Sequence, residues 1–407
     1  MAGESFIIWE GEPHTTYYSV ESLGLRGEPW LNIVRALGKV VQYVAPSKHG
    51  GTMSETSDGL ISKPLPPELF YDHGGNAETR WEAMADQGYA TPNDRFYIRN
   101  HGPTPMIEVA SWSLRIEGPG VSRSLRLSYE DLLALPAVSV TRALECAGNG
   151  RVFFGEQEGR EAEGTAWRLG AIGVAKWTGV RLRHLLEEAG LEQSAVEVMP
   201  EGLDEPRFDR PLSLSKALEE DVILAYLMND EPLPPDHGYP ARVVVPGWAA
   251  VASVKWVGRI LVSDRPLLTY WNTEEYVLAG PGYEPREGAR GPAVKETLVN
   301  SALELPWPAR LPEGRHTVTG RAWSGAGAIA SVEYRIDGGD WRAAGLREPN
   351  VARAWVRFDF EYEAHPGEHE LRARAIDTLG NVQPERMPWN EQGYLYNAVV
   401  AHPVTVR

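Results

Sequence analysis

The chain has 407 residues, of which 43% are hydrophobic and 24% are charged, and its formal net charge is -16 at pH 7. This composition is ordinary for a folded protein of two or three domains. The negative charge argues against nucleic acid as the main partner and suits a basic protein partner.

No stretch approaches the ~20 consecutive apolar residues of a membrane helix. The N-terminus also lacks the basic start and the apolar centre of an export signal. The sequence therefore predicts a cytoplasmic protein with no membrane attachment. A periplasmic protein whose export signal is absent from this chain would look the same, so that alternative stays open.

The first predicted part of the chain is an N-terminal extension over residues 1–75. It contains few periodic runs, and residues 63–67 (Lys-Pro-Leu-Pro-Pro) are rich in proline. These features are typical of an extended arm that wraps the domain that follows it.

The second predicted part, residues 76–291, alternates short β-type runs with short helical patterns. This alternation predicts an α+β domain. Helices are predicted at 129–135, 182–189 and 214–227, and a buried strand is predicted at 241–245.

The third predicted part, residues 292–407, contains the alternation of apolar and polar residues that is typical of strands. A hairpin turn is predicted at 337–340 (Asp-Gly-Gly-Asp). Regular spacing of strands and turns predicts an all-β sandwich. Its strands are predicted at 316–322, 329–336, 354–362 and 368–376.

Cys146 is the only cysteine, which excludes an intrachain disulfide, a multi-cysteine metal site and a haem-attachment motif. What remains is a buried core thiol or a single reactive or metal-bound thiolate. The sequence that follows, Ala-Gly-Asn-Gly, predicts a loop, and loops often carry function. Arg151 ends this loop, and an arginine beside a thiol stabilises the metal-binding thiolate form.

Two other segments contain candidate functional residues. In the first, a β-type run ends in Arg99, Asn100 and His101 before Gly-Pro, which by itself favours a solvated strand end. In the second, His237, Arg242 and Lys255 flank a valine-rich strand and would suit a bound phosphate. A buried cluster paired with Asp236 explains the second segment equally well.

Together, these segments resemble the sulfite oxidase family of molybdenum enzymes. The motifs Arg-Asn-His, Cys-Ala-Gly-Asn, His-Gly-Tyr-Pro-x-Arg and Ser-Val-Lys-Trp occur here in the family's order. The resemblance covers about residues 75–407 and is strongest to the haem-free prokaryotic members, which include sulfite and sulfane dehydrogenases. It implies a molybdopterin-binding catalytic domain over residues 76–291 and an immunoglobulin-like dimerisation domain over residues 292–407.

The resemblance also implies roles for individual residues. Cys146 would ligate molybdenum as a thiolate, beside the dithiolene sulfurs of one molybdopterin, and soft sulfur donors suit such a metal. The substrate pocket would use Arg99, Arg151, Trp167 and Tyr276. The pterin and its phosphate would be held by Tyr97, Arg99, Asn100, His101, Asp204, His237, Arg242, Ser253 and Lys255.

The implied reaction is oxygen-atom transfer that converts sulfite to sulfate, with electrons passed to an external acceptor such as a cytochrome c. The family also implies a homodimer. His365-Pro366-Gly367-Glu368 only faintly resembles the haem signature of the family's cytochrome domain, so we expect a turn there and no haem in this chain.

The substrate is less firmly predicted than the cofactor. Sulfite-oxidising members carry an arginine where this chain has Gln392, two residues after Trp-Asn, and loss of a cation weakens the binding of a dianion. A sulfane dehydrogenase-type enzyme, or an oxidoreductase for another small oxyanion, is therefore an alternative. A cofactor-free binding protein is a third hypothesis, against which the retained thiol and cations argue.

Overall fold

The computed structural model describes residues 5–8, 16–19 and 59–407. The chain divides into two compact units, Met1–Ser54 and Glu55–Arg407. In the first unit, the strands β1 (Ser5–Ile8) and β2 (Thr16–Ser19) pair antiparallel. Most of the predicted N-terminal arm lies outside the described residues.

Three sheets form the N-terminal part of the second unit. In chain order its strands are β3 (Phe70–Asp72), β4 (Asn76–Thr79), β5 (Ile98–Arg99), β6 (Ser113–Glu117), β7 (Leu125–Ser128), β8 (Ala137–Glu145), β9 (Ile172–Arg181), β10 (Glu197–Gly202), β11 (Leu212–Ser213), β12 (Ile223–Met228), β13 (Glu231–Pro232), β14 (Arg242–Val244) and β15 (Val257–Ser263). The sheet orders are β3-β4-β5, β11-β10-β15-β6-β7 and β13-β12-β9-β8, and β14 also pairs with β12.

The helices of this part are short. They are α1 (Tyr129–Ala134), α2 (Val152–Glu156), α3 (Leu182–Glu188), α4 (Leu214–Ala217) and α5 (Tyr270–Thr273), with 3-10 turns at Trp81–Met84, Asn93–Arg95, Pro235–His237 and Ala250–Ala252. No helix in the described part of the chain is long and apolar enough to cross a membrane.

Helices α1 and α3 confirm the predictions at 129–135 and 182–189. Helix α1 begins at a capping box, in which Ser128 Oγ accepts a hydrogen bond from the Asp131 amide while the Asp131 carboxylate accepts one from the Ser128 amide. Helix α3 is followed by Gly190, whose φ of +71° is the left-handed conformation that ends many helices.

The predicted helix at 214–227 is wrong. Only Leu214–Ala217 is helical, whereas Ile223–Met228 is strand β12, which pairs with β9 and β14. The six residues of β12 are all apolar, and such a run fits a buried strand as well as a buried helix. Asn229 and Asp230 then adopt positive φ angles, which turn the chain back into β13.

The C-terminal part of the second unit is a sandwich of two sheets, as predicted. In chain order its strands are β16 (Asn300–Leu303), β17 (Ala309–Leu311), β18 (Gly314–Trp323), β19 (Ile329–Ile336), β20 (Arg342–Ala343), β21 (Gly345–Arg347), β22 (Trp355–Ala364), β23 (Gly367–Asp377) and β24 (His402–Val406). One sheet has the order β16-β18-β22-β21 and the other β17-β24-β23-β19-β20. Alternate apolar side chains from both sheets form its core.

All four strands predicted in the sandwich are confirmed, with ends that differ by one or two residues. The hairpin predicted at 337–340 is also confirmed, because β19 pairs antiparallel with β20. His365 and Pro366 form the turn between β22 and β23, which lie in different sheets.

Several contacts join the sandwich to the N-terminal part of the second unit. Arg321 on β18 is fully buried, pairs with Glu304 at 2.6 Å and donates further hydrogen bonds to the carbonyls of Met84 and Tyr89. After β23, the chain returns to the cysteine loop, where the Leu395 amide donates a hydrogen bond to the Ala147 carbonyl at 2.7 Å. The C-terminal segment therefore reaches the region around Cys146.

Candidate active site

A cavity lies among the three segments that the sequence singled out. It contains about 690 Å³ of empty space, including the part that opens to solvent. All predicted site residues except Arg151 and Trp167 line it. They are Tyr97, Arg99, Asn100, His101, Cys146, Asp204, His237, Arg242, Ser253, Lys255 and Tyr276.

The loop after β8 places Cys146 in the cavity wall. The Cys146 amide donates a hydrogen bond to the Ala171 carbonyl at 2.8 Å, and its carbonyl accepts one from the Asn149 amide at 3.0 Å. The Asn149 side chain closes the loop by accepting from the Ala171 amide and donating to Glu145. Backbone and side-chain hydrogen bonds thus fix the thiol between β8 and β9.

Two opposing effects act on the Cys146 thiol. Burial raises the pKa of Cys146, while the nearby guanidinium groups of Arg99 and Arg151 lower it. The positive charges favour the thiolate, which is the form that binds a metal. Metal binding would also stabilise the thiolate, because a metal ion is itself a positive charge.

A cluster of buried positive charges lies at another wall of the cavity. Arg242 donates to the carbonyls of His237 and Ser253, but its Nε has no hydrogen-bond partner in the described residues. Lys255 donates to the Asp236 carbonyl at 2.8 Å and to the Asn100 side chain. Burial lowers the pKa of Lys255 well below its ordinary value, and Arg242 lowers it further.

The carboxylates in this region do not neutralise these cations. The Asp236 carboxylate accepts hydrogen bonds from the amides of Ser62 and Lys63 and from the Thr104 hydroxyl. Within the described ranges, no ion pair joins a carboxylate to Arg242 or Lys255. Because buried charges are costly unless they are paired, this wall of the cavity suits an anion such as a phosphate.

Sequence analysis did not identify Lys63 as a member of this cluster. Its ammonium donates to the carbonyls of Phe96 at 2.6 Å and Asn93 at 3.2 Å, and it lies 3.4 Å from His237 Nε2. Burial, partly offset by Asp236, lowers the pKa of Lys63 to about 7. The proline-rich segment gave no signal of this role, since its partners lie far away in the sequence.

Tyr276 and His101 form a hydrogen-bonded pair at the cavity wall. The Tyr276 hydroxyl lies 2.8 Å from His101 Nε2. His101 stacks on Phe208 with ring centroids 4.8 Å apart. Burial, together with Arg99 and Lys255, lowers the pKa of His101 to about 2. His101 is therefore neutral, and its unprotonated nitrogen is able to accept a hydrogen bond.

Arg151 lies behind the cysteine loop rather than in the cavity wall. Its Nε donates to the Gln392 carbonyl at 2.6 Å and its Nη1 to the Thr165 carbonyl at 2.8 Å. A Cβ at Gly148 or Gly164 would lie within 3 Å of the guanidinium group, so these glycines allow it to pack there. The absence of side chains at Gly148 and Gly164 thus makes room for the guanidinium group of Arg151.

Trp167 is also outside the cavity wall, although it belongs to the hydrophobic cluster that contains Cys146 and Tyr97. Its ring meets Tyr97 edge-on at a centroid distance of 6.4 Å, and it contacts His73 on another side. The structure therefore brings Trp167 next to the site without bringing it into the cavity.

The geometry agrees with comparisons to known proteins. The family profile of the oxidoreductase molybdopterin binding domain matches residues 101–271, and that of the Mo-co oxidoreductase dimerisation domain matches residues 292–406. Human mitochondrial sulfite oxidase is 36% identical over 368 residues, which are 84% of this chain and 67% of that protein. The chain belongs to the sulfite oxidase family. The predicted family and fold class are thereby confirmed.

Two further comparisons, one with a related sequence and one with a solved structure, agree with this result. Chicken sulfite oxidase is 38% identical over 345 residues, which are 79% of this chain and 74% of that protein. The crystal structure of the sulfane dehydrogenase SoxCD from Paracoccus pantotrophus superposes with a TM-score of 0.73 at 27% identity. That match covers 90% of this chain and 98% of the SoxCD chain.

The residues present fit the family's cofactor. Arg242 and Lys255 are buried without carboxylate partners, and the unpartnered Nε of Arg242 offers a further donor for a phosphate oxygen. In the described part of the chain, no group of three or more His, Cys, Asp or Glu side chains could hold a metal ion. Cys146, exposed to the same cavity as these cations, is a soft ligand of the kind that molybdenum takes.

Proposed function

We propose that this protein oxidises sulfite to sulfate at a molybdenum centre ligated by Cys146, and that it passes the electrons to an external acceptor. The observation that carries the proposal is a single cavity lined by the Cys146 thiol, by Arg99 and by the unneutralised cations Arg242 and Lys255. A bound anion and a bound metal together would account for that combination of side chains.

In this proposal, one end of the cavity holds the cofactor. Arg242, Lys255 and the Ser253 hydroxyl bind the phosphate, and the neutral His237 adds a hydrogen bond, since burial keeps its pKa well below the ordinary value. Tyr97, Asn100, His101 and Asp204 line the same cavity and would hold the pterin. When bound, the molybdenum supplies oxygen-atom transfer and accepts two electrons.

The other end of the cavity binds the substrate. Arg99 orients a sulfur oxyanion near Cys146, and Arg151 attracts it from behind the cysteine loop. Tyr276 donates its hydroxyl proton to the oxyanion while its oxygen accepts a hydrogen bond from Nε2–H of the neutral His101. Burial raises the pKa of Tyr276, so this hydroxyl stays protonated and able to donate. Trp167 supports Tyr97 and keeps the surroundings of the thiol dry, which strengthens these electrostatic interactions.

The overall reaction consumes water and releases two electrons. Sulfite and one water give sulfate, two protons and two electrons, and the electrons leave one at a time. We propose that the acceptor is a separate protein of the cytochrome c type, that this chain carries no haem, and that the domain boundaries lie near residues 76 and 292. We further propose a cytoplasmic protein or, alternatively, a periplasmic one.

The partner in the family's assembly is a second copy of the chain. The match to the dimerisation domain over residues 292–406 supports a homodimer formed through the sandwich. Because the active-site cavity lies among the N-terminal sheets, each copy would contain a complete cavity of its own.

The test is turnover by protein produced in a host that makes the molybdenum cofactor. We expect near-stoichiometric molybdenum and sulfite-dependent reduction of ferricyanide. Protein with full molybdenum that ignores sulfite but oxidises a cysteine-bound sulfane would support the second candidate, a sulfane dehydrogenase. The observation in favour of that candidate is the match to nearly the whole SoxCD chain. Protein without molybdenum would contradict both.

A further inference from the structure

The C-terminal segment brings a polar pair next to Arg151. The Gln392 carbonyl accepts from Arg151 Nε, while the Gln392 side-chain Nε2 donates to Glu275 Oε2 at 2.8 Å. The Tyr394 hydroxyl donates to the same carboxylate oxygen at 3.0 Å. Glu275 is thus held by two neutral donors, and no ion pair within the described residues neutralises it.

This arrangement fixes the orientation of the Gln392 amide. A carboxylate only accepts hydrogen bonds, so the NH₂ group must face Glu275 and the amide oxygen must point away from it. Gln392 is 8% exposed, and its Oε1 is buried without a hydrogen-bond partner in the described residues. A buried acceptor of this kind is costly unless a ligand supplies a donor.

The pair lies directly behind the groups that would bind the substrate. Tyr394 stacks on Tyr276 with ring centroids 5.1 Å apart, and Tyr276 lines the cavity. The guanidinium of Arg151 lies over the Tyr394 ring at 5.3 Å. A change of charge at position 392 or 275 therefore acts on the substrate end of the cavity.

Several charged side chains surround the substrate end of the cavity. Arg99 and Arg151 are positive, Glu275 is negative, and Gln392 is neutral. Arg210, a further buried cation, is occupied by the carbonyls of Trp271 and Val294, and Arg290 pairs with Glu391 at the surface. Burial raises the pKa values of Tyr270, Tyr276 and Tyr394, and Glu275 raises them further, while Arg151 donates directly to the Gln392 carbonyl.

We propose that Gln392 and Glu275 set this site for a singly charged sulfur oxyanion, so that hydrogensulfite is bound in preference to the sulfite dianion. The inference rests on the proposed function. Glu275 lowers the positive potential that Arg99 and Arg151 create at the substrate end, and Gln392 adds no charge of its own. Hydrogensulfite and one water then give sulfate, three protons and two electrons. The two electrons pass to the external acceptor.

The structure makes a specific prediction about an arginine at position 392. Its cation would meet the Glu275 carboxylate that the Gln392 amide now contacts, and the two charges would cancel. Q392R alone should therefore strengthen anion binding by an intermediate amount, because it cancels the charge of Glu275 without adding a free cation. The double variant E275Q/Q392R should release the added charge to the substrate end.

The first test is calorimetric titration of the molybdenum-loaded protein with sulfate, which is a dianion across the working pH range. We expect E275Q/Q392R to bind sulfate about tenfold more tightly or better, as for a charged hydrogen bond, and Q392R to show a smaller gain of about threefold. E284Q removes an exposed charge and serves as the control. Equal affinity of the double variant and the wild type would overturn the proposal, as would the full gain in Q392R.

The second test is the pH dependence of sulfite oxidation with ferricyanide. Wild-type kcat/KM for total sulfite should fall about tenfold per pH unit above the ionisation of hydrogensulfite, and the fall should be shallower in E275Q/Q392R. A wild-type profile that is flat or rises overturns the proposal. If sulfate affinity changes as expected but no variant oxidises sulfite at any pH, the proposed function fails while the charge preference of the site stands.

Discussion

At the scale of single residues, backbone amides determine the charge of the cofactor wall, which is the cavity wall that contains Arg242 and Lys255. Asp236 could have neutralised Lys255, but amides of residues 62 and 63 occupy its carboxylate instead. Lys63 itself enters the cluster beside His237. The wall therefore keeps an excess of positive charge that favours a phosphate.

The burial of Lys63 predicts a pH dependence of stability in the cofactor-free protein. In the folded chain the pKa of Lys63 is lowered to about 7, whereas in the unfolded chain it stays near 10.5. Between these values the unfolded state binds more protons, so the contribution of Lys63 to the free energy of unfolding rises with pH, by at most about 1.4 kcal/mol per unit.

Chemical unfolding of the wild type and of Lys63→Met between pH 7 and 9 measures this contribution. The free-energy difference between the two proteins should move in favour of the wild type as the pH rises. A difference that stays constant or moves in the opposite direction would mean that Lys63 keeps its proton in the fold.

The sequence identified the residues of this site whose motifs are local, such as Cys146 in its glycine loop and His237 with Arg242. Their placement in one cavity was predictable through the family resemblance. Lys63, Glu275 and Tyr394 were missed because each acts through a partner more than a hundred residues away. No local pattern reports such contacts.

At the scale of elements, one loop of the C-terminal segment links the sandwich to the site. Asn390 is fully buried, and its side chain both donates to the Tyr394 carbonyl and accepts from the Tyr394 amide. These two hydrogen bonds hold the turn that contains Gln392. The Leu395 amide then donates a hydrogen bond to the Ala147 carbonyl in the cysteine loop.

Asn390→Ala should loosen this turn without removing any group that contacts the substrate. We expect the free energy of unfolding to fall by about 1 to 3 kcal/mol, because two backbone groups lose their partner. KM for sulfite should rise while the molybdenum content stays unchanged, since the cofactor wall is elsewhere.

Asn381→Ala is the matched control for the Asn390 variant. Asn381 also donates from its side chain within a loop, to Asp377 at 2.8 Å, but that loop belongs to the sandwich. It should lose stability with no change in KM. An equal rise of KM in both variants would show that general destabilisation, and not the position of Gln392, is responsible.

Elements whose sequence alternates regularly between apolar and polar residues were predictable. Elements whose sequence is uniformly apolar were not. The strands of the sandwich alternate between core and solvent, so their sequence identified them. Residues on both faces of strand β12 are buried, so both faces are apolar and the alternation that marks a strand is absent. The helix predicted at 214–227 failed for this reason.

At the scale of the whole molecule, the buried Arg321 couples the sandwich to the N-terminal part of the second unit through hydrogen bonds. Arg321 pairs with Glu304 and also binds carbonyls in the segment 84–89. Sequence patterns predicted both domains but not this contact, because packing between domains depends on partners that no period reveals.

Arg321→Met should destabilise the whole second unit by about 3 to 5 kcal/mol, because Glu304 would remain buried without its partner. Arg315→Met is the control, since Arg315 lies on the same strand but forms an exposed pair with Glu361. Calorimetry should show a large fall in melting temperature for Arg321→Met and little change for Arg315→Met. Similar falls in both would contradict the proposed coupling.

The most direct test of the central claim is X-ray absorption at the molybdenum edge, on the loaded wild-type protein and on Cys146→Ser with its metal content checked. We expect the variant to have one fewer sulfur neighbour at molybdenum and to lose sulfite oxidation. An unchanged number of sulfur neighbours in the variant would contradict ligation by Cys146.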